Sequence, residues 1–205
     1  MTIERKICVY CGSSSGDDPV YAESARRLGQ LIAEIKWGLV YGGGSTGIMG
    51  ELAKSAVAHG ADVHGIIPEP LIRRERSTAI PDESIYGRTT VVQDMHTRKR
   101  MMASESTAFV ALPGGFGTAE ELFEVITWNQ LGIHAYPIVL LNINGFYDGL
   151  LAWINNATDS GFISEGNRNI CVEAKSPEEV IENIRNYEVS KERFSLKWSD
   201  ENMSP

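Results

Sequence analysis

Three stretches combine glycine with hydroxyl side chains in a way that suits an anion: CGSSSG at 11–16, YGGGSTGIMG at 41–50 and LPGGFGTAEE at 112–121. Glycine lets a backbone N–H approach a phosphate oxygen closely, and a helix that starts there adds the positive end of its dipole. One such loop is a weak signal, because tight strand-to-helix turns also use glycine for packing. Three in one chain point to phosphate or nucleotide binding. Two further groups could complete the site. Arg98, Lys99 and Arg100 stand together in DMHTRKRMMASES, and the planar fork of Arg suits phosphate; a solvated basic helix face is the alternative. Glu121 offers a carboxylate, yet Thr118-x-x-Glu121 also has the spacing of a capping box, which would explain the residue without catalysis.

Other chemistries fit less well. Gly42-x-Gly44-x-x-Gly47 is a literal dinucleotide fingerprint, with Glu69 at the end of the next strand. It follows the second predicted strand rather than the first, and the loop at 114–117 competes for the same phosphates. A P-loop is excluded, since no Lys-Ser/Thr follows the glycines. Cys8-x-x-Cys11 lies in a strand running into a turn, where an odd separation puts the two thiols on opposite faces. The four His at 59, 64, 96 and 134 show no ligand spacing, so no metal site is expected.

These groups need a scaffold. Short β-rich apolar runs at 6–11, 38–42, 62–67, 89–93, 107–112, 137–142 and 169–173 alternate with segments of helical period, the pattern of βαβ units and a parallel sheet. Segment 18–36 places Tyr21, Ala25, Leu28, Ile32 and Ile35 on one stripe. Segment 118–131 does the same with Leu122, Val125, Ile126 and Leu131, and Gly132 follows as a C-terminal cap. Asp94 is placed to cap a helix over 94–106, and Ser176-Pro177-Glu178-Glu179 opens another. An α/β fold follows, with one sheet and helices on both faces. It occupies a single domain over 1–187, and 188–205 form a peripheral tail. In such folds ligands bind at the carboxyl ends of the strands, where strand order reverses. That edge carries the glycine loops and the start of the Arg98 helix. Met101, Met102, Trp128 and Leu131 fit either the core or a contact between subunits.

Composition narrows the partners. Across 205 residues the formal net charge is −8, which argues against nucleic acid as a partner. No apolar run reaches the roughly 20 residues that span a bilayer, so no membrane partner is expected. The start, MTIERKICVYCGSS, lacks the features of a signal peptide. Cytoplasmic localisation is the expectation.

Taken together, Pro113-Gly114-Gly115-Phe116-Gly117-Thr118-Ala119-Glu120-Glu121 resembles the P-G-G-x-G-T-x-x-E signature of the LOG ("lonely guy") family of cytokinin riboside 5′-monophosphate phosphoribohydrolases. CVYCGSSSG, LVYGGGSTGIMG, DMHTRKRMM, EVITWNQLGIH and PIVLLN are similar to that family's blocks, in its order, across about residues 6–187. Stretch 70–88 and the tail match less clearly. The resemblance implies a Rossmann-like doubly wound fold, a homodimer, and hydrolysis of the N-glycosidic bond of a nucleoside 5′-monophosphate. It implies no metal and no organic cofactor. Arg98 and Glu121 fall on the family's catalytic pair. Substrate and phosphate contacts fall on Ser14, Gly43, Gly44, Met95, Lys99, Gly114, Gly115, Gly117, Thr118 and Thr127. Proteins of this family often carry the label lysine decarboxylase, but nothing near Lys54 or Lys99 resembles a pyridoxal phosphate site. A nucleotide-binding or sensing protein without catalysis is the alternative reading.

Overall fold

Each of the seven predicted strands is present in the computed structural model, which describes residues 5–75 and 82–198. They are β1 (Lys6–Tyr10), β2 (Gly38–Tyr41), β3 (Val63–Pro68), β4 (Arg88–Val92), β5 (Ala108–Ala111), β6 (Ile138–Leu141) and β7 (Cys171–Ala174). All pair in parallel, in the order β4-β3-β2-β1-β5-β6-β7. The central strand β1 pairs on both sides, with Ile7 opposite Leu39 and Ala108. The chain therefore runs outward from β1 to β4 and then returns to the other side of β1. Strand order reverses between β1 and β5, and the loops that leave those two strands meet there.

Both faces of the sheet are covered, which is why the inner strands read as unbroken apolar runs. On one face Ile7, Val9 and Cys11 pack with α1 (Pro19–Glu34), α2 (Gly47–Ala58) and α8 (Pro177–Arg185). Cys8 and Tyr10 face the opposite way, toward α5 (Met95–Ser104), α6 (Phe116–Gln130) and α7 (Asp148–Asp159). The two thiols of the C-x-x-C are thus separated by the sheet. Met102 is fully buried, and Met101 and Trp128 pack partly buried on the same core.

The helix boundaries follow local chemistry. The Asp18, Asp94 and Ser176 side chains accept from Val20, Thr97 and Glu179 N–H groups to start α1, α5 and α8. At the end of α6, Gly132 adopts φ +82°, and Phe194 O would lie 2.5 Å from a Cβ there. Stretch 70–88 contains two short helices, α3 (Ile72–Glu75) and α4 (Glu83–Tyr86); its residues 76–81 lie outside the described residues. Tail residues 188–198 are irregular but docked. Phe194 N donates to Gln130 O (2.8 Å), Trp198 Nε1 donates to Leu131 O (3.1 Å), and Arg193 Nε donates to Asn129 O (2.6 Å). The tail residues 199–205 are outside the described residues.

Candidate active site

The loops after β1 and β5 lie against one another. Gly12 N–H donates to Pro113 O at 3.0 Å, and a Cβ on Gly12 would stand 3.4 Å from Gly114 Cα. Gly114 in turn lies over Thr118, whose Oγ1 would be 2.2 Å from a Cβ at 114. Residue 114 is thus glycine for lack of room.

The loop after β2 has the dinucleotide spacing but is occupied by protein. Ile48 N–H donates to Ser14 O (3.3 Å) and Met49 N–H to Gly12 O (3.2 Å). Thr46 Oγ1 donates to Ser13 O at 3.0 Å. Gly47, at φ +58°, would bring a Cβ within 2.5 Å of the Ser13 carbonyl. The start of α2 is therefore capped by the carbonyls of the first loop, which takes up donors that a pyrophosphate would need. Gly43 packs on Ile66 and Ile67, and Gly44 on Met49 and Glu75. The Ser14 side chain is exposed.

The start of α6 is different. Its N-cap is Gly115, which offers no side chain, and the N–H groups of Phe116, Gly117 and Thr118 have no hydrogen bond among the described residues. A Cβ on Gly115 or Gly117 would meet nothing within 4 Å. Because α6 begins at Phe116, Thr118 lies inside the first turn rather than at the cap. The capping-box explanation of Glu121 therefore fails. What remains is an uncapped helix end with open space in front of it, a natural anion site.

Glu121 sits one turn further along α6, 6% exposed. Arg98 comes from α5, 5% exposed, and its Nη2 lies 3.8 Å from Glu121 Oε1. That is too long for a hydrogen bond. Nη2 instead donates to Gly42 O at 3.3 Å, and Nη1 contacts Met95 Sδ at 3.7 Å. Arg98 Nε and Glu121 Oε1 are buried with no hydrogen-bond partner. Buried groups left in this state call for an explanation, and a polar ligand between them supplies one. Burial raises the Glu121 pKa to about 7; Arg98 opposes the shift, while Glu120 and Glu75 reinforce it.

Lys99, the next residue along α5, points elsewhere. Its ammonium is paired with Glu120 and with Glu124 (3.0 Å). Burial disfavours the charge, but the two carboxylates outweigh it and leave the pKa raised. Thr127 is exposed and donates to Phe123 O at 2.8 Å, some 9 Å along α6 from Glu121 at 1.5 Å per residue. One chain thus brings together Arg98, Glu121, Met95 and the 114–118 loop, with Ser14 on the adjoining loop. Lys99 sits beside this group in its own ion pair, Gly43 and Gly44 pack against Ile66, Ile67, Met49 and Glu75 instead, and Thr127 stands apart.

Comparison with known proteins gives the family. A family model described as "Possible lysine decarboxylase" matches residues 49–184. The chain is 49% identical over 194 residues to cytokinin riboside 5′-monophosphate phosphoribohydrolase LOG7 of Arabidopsis thaliana, covering 94% of this chain and 87% of that protein. It is 45% identical over 202 residues to the rice protein LOGL2, a probable enzyme of the same name, covering 98% and 81%. The chain belongs to the LOG family. Among solved structures it is similar to the molybdenum cofactor binding protein of Rippkaea orientalis, with a TM-score of 0.65 and 26% identity over 90% of this chain and 98% of that one. The molybdenum cofactor carrier protein of Chlamydomonas reinhardtii gives a TM-score of 0.66 at 22% identity, covering 89% and 96%. The latter likeness concerns the fold alone.

Two further residues shape this candidate site. Glu75 contributes to the raised pKa of Glu121, and its carbonyl accepts from Ser45 N–H at 2.8 Å. Gly42 holds Arg98 through its carbonyl, and a Cβ there would lie 2.0 Å from Arg98 Nη2. Nothing in the spacing marks Glu75. Gly42 is legible in the sequence only as the first glycine of the dinucleotide spacing.

Proposed function

We propose that this chain hydrolyses the N-glycosidic bond of a nucleoside 5′-monophosphate, adenosine monophosphate or its N6-prenylated form, and releases the free base and ribose 5-phosphate. The observation that carries this reading is the buried Arg98–Glu121 pair, each with an unused hydrogen-bonding atom, one turn from an uncapped helix start. The open N–H groups of Phe116 to Thr118 hold the 5′-phosphate. That places the ribose toward Glu121 and Arg98. The C1′–N bond breaks with its electron pair leaving on the base, and C1′ acquires oxocarbenium character. Ionised Glu121 stabilises that charge and orients or deprotonates the attacking water. The water oxygen bonds to C1′, and its proton is passed on to the departing base. Arg98 keeps the sugar in place by bridging ribose or phosphate.

The lysine decarboxylase label fits the lysines poorly. Lys54 is paired with Glu51 and Lys99 with Glu120 and Glu124, and both pKa values are raised despite partial desolvation. A Schiff-base lysine needs the opposite shift. The working unit in this reading is a cytoplasmic homodimer that binds neither nucleic acid nor membrane. Exposed aromatic residues on and beside α6 and α7, among them Phe116, Trp153 and Phe162, support a self-association surface. No described helix is long and apolar enough to cross a membrane.

Chromatography after incubation with AMP, and separately with N6-isopentenyl-adenosine monophosphate, tests the reading. Free base with ribose 5-phosphate from either is expected, and the ratio of the two rates gives base preference. Binding without any released base would favour a nucleotide sensor.

A further inference from the structure

The start of α6 accounts for one phosphate, yet the same edge of the sheet carries a second group of anion-binding side chains. Arg73 and Arg74 on α3 are exposed and have no ion pair or hydrogen bond among the described residues. Arg26, Arg27, Arg88 and Arg98, by contrast, have carboxylates within 4.0 Å. With Pro70, Ser13 and Ser14, Arg73 and Arg74 line an open pocket of about 560 Å³. The adjacent Glu75 forms no ion pair with either arginine among the described residues, and its Cβ lies 3.4 Å from the position of a Cβ on Gly44.

This pocket adjoins the first anion site. Ser14 is two residues from Gly12, a reach of at most about 7 Å of extended chain. Gly12 is bonded to Pro113 and packed on Gly114, directly before the open amides of α6. The nucleoside monophosphate of the proposed reaction has a single phosphate, which leaves the two arginines without a role in that reaction. Two guanidinium groups with two hydroxyls suit a phosphate better than a sugar or a base.

We infer that Arg73, Arg74, Ser13 and Ser14 form a second anion subsite that takes the distal phosphate of a nucleoside di- or triphosphate. Such nucleotides then occupy the active site as competitive ligands. The inference rests on the proposed function for the placement of the first phosphate. It adds a class of inhibitory ligand that the hydrolytic reaction does not require. The affinity gained is an electrostatic one that weakens with salt.

The test is calorimetric titration of the full chain with AMP, ADP and inorganic pyrophosphate, in the parent and in the Arg73→Ala/Arg74→Ala double variant. Inhibition of AMP hydrolysis by ADP is followed in parallel. Both arginines are exposed, so the double variant is expected to fold, which circular dichroism checks. In the parent, ADP should bind more tightly than AMP. In the double variant, ADP and pyrophosphate should lose about tenfold or more, the loss expected for one or two charge-assisted hydrogen bonds, while AMP stays within about twofold. ADP no tighter than AMP in the parent, or equal losses for both nucleotides, would overturn the second subsite. Failure of the hydrolase reading has a separate signature: no base is released from AMP, whatever the calorimetry shows.

Discussion

Arg98 and Glu121 face each other across 3.8 Å in the interior without forming a hydrogen bond. Gly42 O holds the guanidinium back on one side. Two opposite charges kept this close but unjoined are poised for a third party. Breaking either side should abolish turnover: Glu121→Gln and Arg98→Ala are each expected to lower kcat/KM for AMP by more than 100-fold, since about 3 kcal/mol of lost transition-state stabilisation already gives that factor. Steady-state kinetics on variants shown to be folded by circular dichroism provides the check. Unchanged turnover in both would move the site elsewhere.

The Glu121 carboxyl, raised to about 7 by burial, must be ionised to stabilise an oxocarbenium ion. The kcat/KM of the free enzyme should therefore climb as pH rises from 6 to 8, with an acid-side inflection near 7. A profile already flat at pH 5.5 would mean that the carboxylate ionises in the ordinary range or is not needed.

The same shift has a cost in stability. Between 4.5 and about 7 the folded chain binds the Glu121 proton more tightly than the unfolded chain. This contribution is fully present below pH 4.5 and is lost as pH rises through 7. At roughly 1.4 kcal/mol per unit, the loss is on the order of 3 kcal/mol by pH 8. Glu121→Gln removes the titration and makes no cap worse, because Gly115 is the N-cap of α6. Its melting temperature, compared with the parent, should rise between pH 5 and pH 8. A large fall at every pH would reveal a structural role instead.

Gly42→Ala tests how Arg98 is placed. The added methyl would stand 2.0 Å from Nη2, so the guanidinium must swing away from Gly42 O and from the space beside Glu121. Turnover should drop by at least tenfold, and replacing Arg98 with Lys in the same background should lose little more. If Gly42→Ala retains full kcat, the carbonyl of residue 42 does not position the arginine.

Much of the architecture could be read in the chain because it depends on local rules. The seven apolar runs became strands within one or two residues of their expected limits, since the five inner strands are buried along almost their whole length and the edge strands β4 and β7 are partly covered. Asp18, Asp94 and Ser176 mark helix starts through bonds only two or three residues long. In α6 the local reading missed, because Thr118 and Glu121 have the spacing of a cap yet the helix begins earlier, at Phe116.

What the sequence by itself determined was the inventory of groups and the edge on which they gather: three glycine loops after three strands, with Arg98 and Glu121 near helix starts. Which loop stays open was decided only by tertiary structure. YGGGSTG and PGGFGT carry the same signal, but Ser13 and Ser14 carbonyls close the first by hydrogen bonds across more than 30 residues. Tertiary structure likewise turned Lys99 toward Glu120 and Glu124 and left Arg98 beside Glu121. Both residues belong to one basic run, and successive residues on a helix point about 100° apart. Spacing along the chain states which residues can share an edge. Packing across the sheet decides which of their polar atoms are already satisfied, and the site is made of those that are not.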